Sequence, residues 1–255
     1  MMLLRVIISL IVMVIIWQCI TWLTDTPHYI LPSPLRVISS LWVNHLLLLE
    51  HLSITVLEIC LGLVFGTVFG FISALSLMWS STIRRWLLPL LVISQAIPVF
   101  AIAPLLVLWL GYGVTSKVAM ATLIIYFPVA ATLYDGLRRT NIGWLELAKT
   151  MGASPFAVLL HIRLPAAMPA MSSGLRVAAA VAPIGAVVGE WVGASSGLGY
   201  LMLHANGRME TDLMFAALFT LAVISLFIYF TIDFTLRRAI TWQPDSLLTD
   251  FEELK

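Results

Sequence analysis

The sequence predicts an all-α integral membrane protein with six transmembrane helices. Two compositional observations and one pattern lead there. Of 255 residues, 61% are hydrophobic and 11% are charged, whereas a soluble domain carries about 25% charged residues. The mean hydropathy is +1.02. Uncharged apolar runs long enough to cross a bilayer, about 20 residues each, recur along the chain. The same composition excludes a disordered chain and a water-soluble monomer. The formal net charge of +1 leaves no polyelectrolyte face for nucleic acid.

The expected spans follow in order. The first, 6–24, sits behind Arg5. It is read as an anchor, because it is too long for a signal-peptide core and no A-x-A cleavage site follows. The second is 59–83. The third, 86–116, is long enough for a helix and its exit loop. The fourth is 118–134. The fifth is weaker: 177–189 is bounded by Arg176 and Glu190 and reaches about 173–192 when its neighbours are included. The sixth is 213–232. Cys19 and Cys60 fall inside apolar runs and read as small buried hydrophobes, with neither a disulfide nor a metal site expected. The histidines, His28, His45, His51, His161 and His204, have no metal-ligand spacing. Trp17, Trp22, Trp79, Trp86, Trp109 and Trp191 fall near span ends, as an interfacial belt requires.

Basic residues set the expected orientation. With both termini cytoplasmic, eleven lysines and arginines, Lys255 among them, lie inside. Arg36, Lys117 and Arg208 lie outside, which fits the positive-inside bias. Gly62, Gly66 and Gly70 recur every four residues, and so do Gly185, Gly189 and Gly193. Small residues at this spacing form a smooth face on which another helix packs closely. Pro98, Pro104, Pro128 and Pro183 lie within spans and are expected to kink them. Broken helices suit a transporter better than a passive anchor.

The segment 135–172 is amphipathic and too polar to cross. Trp144, Leu145, Ala148, Met151 and Gly152 form one side of a short helix. Gly152 can supply a left-handed helix end, Ser154 can cap the next helix, and Pro155 suits its first turn. A second short helix is expected over 156–162, ended by Leu164-Pro165. This helix–turn–helix would lie on the cytoplasmic face and dock into a groove on a soluble partner. The chain has no G-x-x-x-x-G-K-[ST] phosphate loop, so it does not hold ATP by that device, and energy must come from another polypeptide. It is not an enzyme on this reading. No G-x-S-x-G or H-E-x-x-H motif and no paired intramembrane aspartates support an intramembrane enzyme. A stand-alone channel would leave this loop unexplained.

Glu146-Leu147-Ala148, Gly152 and Ile162-Arg163-Leu164-Pro165 resemble the E-A-A-x3-G-x9-I-x-L-P loop of binding-protein-dependent ABC importer permeases, with Leu147 in place of an alanine. Ile30-Leu31-Pro32-Ser33-Pro34, Gln95-Ala96-Ile97-Pro98, Gly189-Glu190 and Ser196-Gly197-Leu198-Gly199-Tyr200 are similar to the taurine, nitrate and sulfonate branch. The resemblance implies a type I importer permease over 1–255 in a bacterial inner membrane, usually a homodimer. Its partners would be ATPase subunits inside and a substrate-binding protein outside, and it needs no cofactor. It assigns Glu146, Leu147, Ala148, Gly152, Ile162, Leu164 and Pro165 to ATPase coupling.

Gln95, Pro98, Glu190 and Trp191 are the candidate translocation-path residues. Glu190 is either buried for function or a solvated interfacial charge. Glu58 reads as a helix-boundary residue, and Asp233 as an interfacial charge with an i,i+4 arginine partner. The combination of 189–194 with 201–205 looks most like permeases for hydroxymethylpyrimidine, a thiamine precursor. Alkanesulfonate, taurine or nitrate is the alternative cargo.

Overall fold

The computed structural model describes residues 2–242. Lys255 and the C-terminal end therefore lie outside the described residues. Among the described residues every regular element is helical: α1 (Met2–Leu23), α2 (Pro34–Val43), α3 (His45–Trp79), α4 (Ser81–Ala96), α5 (Val99–Leu110), α6 (Val114–Arg138), α7 (Ile142–Thr150), α8 (Pro155–Val158), a π-turn (Leu159–Arg163), α9 (Leu164–Gly193), α10 (Leu198–Gly207) and α11 (Thr211–Ala239).

Among the described residues, α3, α6, the run Pro155–Gly193 and α11 are long and apolar enough to cross a membrane, and the bent pair α4–α5 would make a fifth span. The first expected span falls on α1, a helix of 22 residues. Large apolar side chains lie on the outside, among them Phe219, Leu226, Phe227 and Phe230 of α11. In water this would be costly; against lipid tails it costs nothing.

The middle of the bundle is α6, packed between α3 and α9. The core joins Ile59 and Leu63 of α3, Ala121, Ile125 and Val129 of α6, and Ala178, Ala182 and Ala186 of α9. Five of the six glycines of the two stripes face this middle helix. A Cβ at Gly62 would meet the Ala121 Cβ at 2.5 Å, and one at Gly185 would meet the Ala121 Cα at 2.7 Å. Gly66 and Gly70 stand against Ile125 and Val129, Gly189 against Lys117, and Gly193 against Val107 of α5.

Several expectations need correction. The second helix is not 59–83 but His45–Trp79, so Glu58 lies within a helix and not at its boundary. The break comes at Ser80, whose extended backbone and side-chain oxygen cap α4 through the Ile83 N–H at 3.3 Å. The third span is kinked at Pro98 as expected, but into two helices bent by 104° and starting at Ser81. Pro98 disfavours the helical region for the residue before it, and Ile97 is accordingly extended (φ −90°, ψ 117°). Leu164-Pro165 does not end a helix. The π-turn lets the Leu164 N–H reach the Leu159 carbonyl, and Pro165, which has no N–H, falls in the first turn of α9, where none is needed. Cys19 and Cys60 are exposed, not buried. Lys117, expected in an outer loop, lies in the first turn of α6 and is buried.

Candidate functional site

The segment that follows α6 is built by local capping. The Asn141 side chain accepts the Gly143 N–H at 2.8 Å and starts α7. At the other end the Gly152 N–H donates to the Lys149 carbonyl (3.0 Å) and the Ala153 N–H to the Ala148 carbonyl (2.9 Å). This is a Schellman end, which needs a left-handed residue at the turn, and Gly152 has φ +74°. Ser154 then accepts the Ala157 N–H at 3.2 Å, with Pro155 first in α8.

Ala148 packs inward at 5% exposure, while Trp144, Leu147, Met151 and Phe156 are exposed, as is Glu146. An open apolar groove of about 690 Å³ is lined by Leu147, Ala148, Met151, Ile162, Pro165 and Trp242, among others. Six of the seven residues assigned to coupling thus lie on or beside one exposed ledge; Leu164 is half-buried behind it, against the core end of α6. The ledge is fixed to the bundle. Arg163 donates to the Leu137 carbonyl at the end of α6 (3.3 Å) and to the Met78 sulfur at the end of α3 (3.4 Å), and Phe156 meets Trp79 edge-on at 6.2 Å.

The four path candidates do not form one site. Gln95 and Pro98 are exposed at the α4–α5 bend and Trp191 is exposed on α9. Glu190 is 1% exposed and faces inward, which is the buried one of its two expected settings and not the solvated interface.

Glu190 belongs to a buried polar cluster that sequence reasoning missed. His51, Thr55 and Glu58 recur at i, i+4 and i+7 on α3, one helical face. Across from them lie Lys117 of α6, Glu190 of α9 and the turn into α10. Helix α10 has no capping side chain of its own, and its first N–H groups are satisfied by other helices instead. The Gly197 N–H donates to His51 Nδ1 (2.9 Å), the Leu198 N–H to Thr55 Oγ1 (2.8 Å), and the Gly199 N–H to Glu190 Oε2. The Thr55 hydroxyl donates in turn to Glu190 Oε1 at 2.6 Å.

A carboxylate at a helix N-terminus is favoured by the helix dipole. A Cβ on Gly197 or Gly199 would collide with this carboxylate, so both glycines are needed for the approach. One layer deeper, Lys117 Nζ lies 3.3 Å from Glu58 Oε1, with both side chains buried. Neither Glu58 oxygen has a hydrogen-bond partner among the described residues. The i, i+4, i+7 spacing on α3 was the available signal.

Within the first half of α9, Arg176 donates to Asp233 Oδ1 at 2.6 Å, and Arg237 donates to Asp233 Oδ2 at 2.9 Å. The expected i,i+4 pair is therefore present, and Asp233 also ties α11 to α9.

With this geometry in view, the family described as binding-protein-dependent transport system inner membrane components matches residues 66–240. The chain belongs to that family. A probable ABC transporter permease of Haemophilus influenzae is 62% identical over 90% of this chain and 94% of its own length. A formylaminopyrimidine transport permease of Halalkalibacterium halodurans is 37% identical over 84% and 86%. The inward-facing methionine ABC transporter superposes with a TM-score of 0.62 over 81% of this chain and 97% of that one, at 19% identity, which concerns the fold alone. The fold is therefore that of a type I ABC importer permease, the permease is an inner-membrane protein, and it works as a transporter component.

Proposed function

We propose that the whole chain, 1–255, acts as one transmembrane permease unit and that its cargo is a pyrimidine precursor of thiamine, of the hydroxymethylpyrimidine type. The observation that carries the cargo is the 37% identity to the formylaminopyrimidine permease over most of both chains. The chemistry of an open groove of about 640 Å³ between α3, α5 and α6 supports it. Phe65, Phe69 and Leu106 line it, with the hydroxyls of Thr115, Thr122 and Tyr126 and no charged side chain. Aromatic faces with a few hydroxyls suit an uncharged heterocycle better than a sulfonate or nitrate anion.

In this reading the permease crosses the membrane six times with both termini cytoplasmic, and two copies form the path. A binding protein outside delivers cargo and ATPase subunits inside supply the energy. The 142–165 ledge is the coupling element. Glu146 makes the charged contact with the ATPase, Ala148 gives close packing, and Gly152 provides the turn. Movement of the ledge reaches α3 and α6 through Arg163.

The test is uptake of labelled hydroxymethylpyrimidine and of a labelled alkanesulfonate by cells expressing the permease with its ATPase and binding protein. ATP-dependent pyrimidine uptake is expected. Sulfonate uptake instead, or no uptake of the pyrimidine, overturns the cargo assignment.

A further inference from the structure

The turn between α9 and α10 is held by a histidine whose protonation state the geometry defines. A backbone N–H can only donate, so His51 Nδ1, 2.9 Å from the Gly197 nitrogen, must carry its lone pair. The ring is then the neutral tautomer with its proton on Nε2. An imidazolium has two donors and no acceptor. It would face the Gly197 N–H with an N–H of its own and leave that backbone group without a partner.

The ring is only half-buried, stacked on Tyr200 at 6.0 Å, at the end of the bundle opposite the coupling ledge. It is the outermost of the three side chains that cap α10, with Thr55 and Glu190 below it. Gly197 has φ +110°, a backbone that glycine adopts without strain, so the hydrogen bonds to the turn and not its own conformation fix it against α3.

We propose that neutral His51 positions the 194–199 turn of the permease on α3, and that protonation of this ring releases the turn. The other ionisable groups around it do not supply a replacement acceptor for Gly197. Glu50 shares its helix and is exposed. Glu190 is engaged by Thr55 and Gly199, and Glu58 faces Lys117 of α6. Tyr200 and His204 of α10 pack ring against ring at 4.1 Å. Arg36 of α2 and Asp212 of α11 pair with each other at 3.7 Å. The inference is independent of the cargo.

The experiment measures a distance between two spin labels in the full chain in lipid nanodiscs. The labels sit on Ser195→Cys and Leu57→Cys, with Cys19 and Cys60 replaced by serine. Distances are compared at about pH 8 and about pH 5, the range over which histidine charges. The expected result is a narrow distribution at the higher pH and a broader, shifted one at the lower. His51→Gln, whose amide oxygen accepts but does not titrate, should stay narrow at both. An unchanged distribution in the parent chain overturns the proposal, and so does an acid broadening that persists undiminished in His51→Gln. The parent comparison decides the matter even where the variant folds poorly.

Discussion

Lys117 and Glu58 form an ion pair, Nζ to Oε1 at 3.3 Å, with both side chains almost wholly out of contact with the surface. They join the first turn of α6 to α3, one layer below the Glu190 cap of α10. Removing one partner from a buried pair leaves an uncompensated charge, a loss of about 3–5 kcal/mol, whereas removing both is much milder. Lys117→Met should therefore lower the thermal midpoint of the purified permease sharply. Glu58→Gln combined with Lys117→Met should recover most of the loss. A double variant no better than the single one would show that the pair is not the relevant interaction.

The Thr55 hydroxyl serves two buried partners, the Leu198 N–H and Glu190. Thr55→Val keeps the shape and removes the hydroxyl, at about 1–3 kcal/mol for the partners left unmade. Thr55→Ser should keep most of the stability. Hydrogen exchange at the 197–199 amides is the direct readout: faster in Thr55→Val and near the parent rate in Thr55→Ser.

Ala121 is pressed from both sides by Gly62 and Gly185. Gly62→Val or Gly185→Val should destabilise by about 1–3 kcal/mol through overpacking, seen as lower yield and an earlier melt in detergent. Gly113→Ala is the control, since a Cβ there has nothing within 4 Å and its φ of −82° is ordinary. Equal melts for all three would contradict the packing seen around α6.

Gly152 has open space around it, so a side chain there meets strain and not a clash. A left-handed conformation costs a branched L-residue about 1–2 kcal/mol, enough to change one exposed turn without unfolding the bundle. Gly152→Val should leave the permease folded in the membrane yet cut ATP-driven uptake, while Gly152→Asn, which tolerates this conformation, should retain more of it. Uptake in Gly152→Val equal to the parent would remove Gly152 from the coupling assignment.

The capping residues of the ledge were legible because capping is local. Gly152, Ser154 and Pro155 act within four residues of themselves, and each took the role its chemistry suggested; Asn141, which caps α7 in the same local way, was passed over. The glycine stripes were legible as packing faces, but not that both would meet α6. The ends of α3 were misjudged because Glu58 looked like a boundary. A charge within an apolar run marks a helix end only when no buried partner awaits it, and Lys117, 59 residues further on in the sequence, is that partner. The continuity through Leu164-Pro165 was missed because a π-turn has no short sequence signature.

Composition and apolar periodicity by themselves determined that this is a helical membrane protein, because lipid requires every backbone group to be satisfied within its own segment. Spacing within the 146–165 segment determined its resemblance to the coupling loop, because a turn, a cap and a helix start are short-range events. The tertiary structure alone decided what the buried charges do. Whether Glu190 faces water, cargo or a helix N-terminus depends on side chains from α3 and α9 meeting backbone from α10. Such a long-range meeting is fixed by the packing of α3, α6 and α9, and no single segment encodes it.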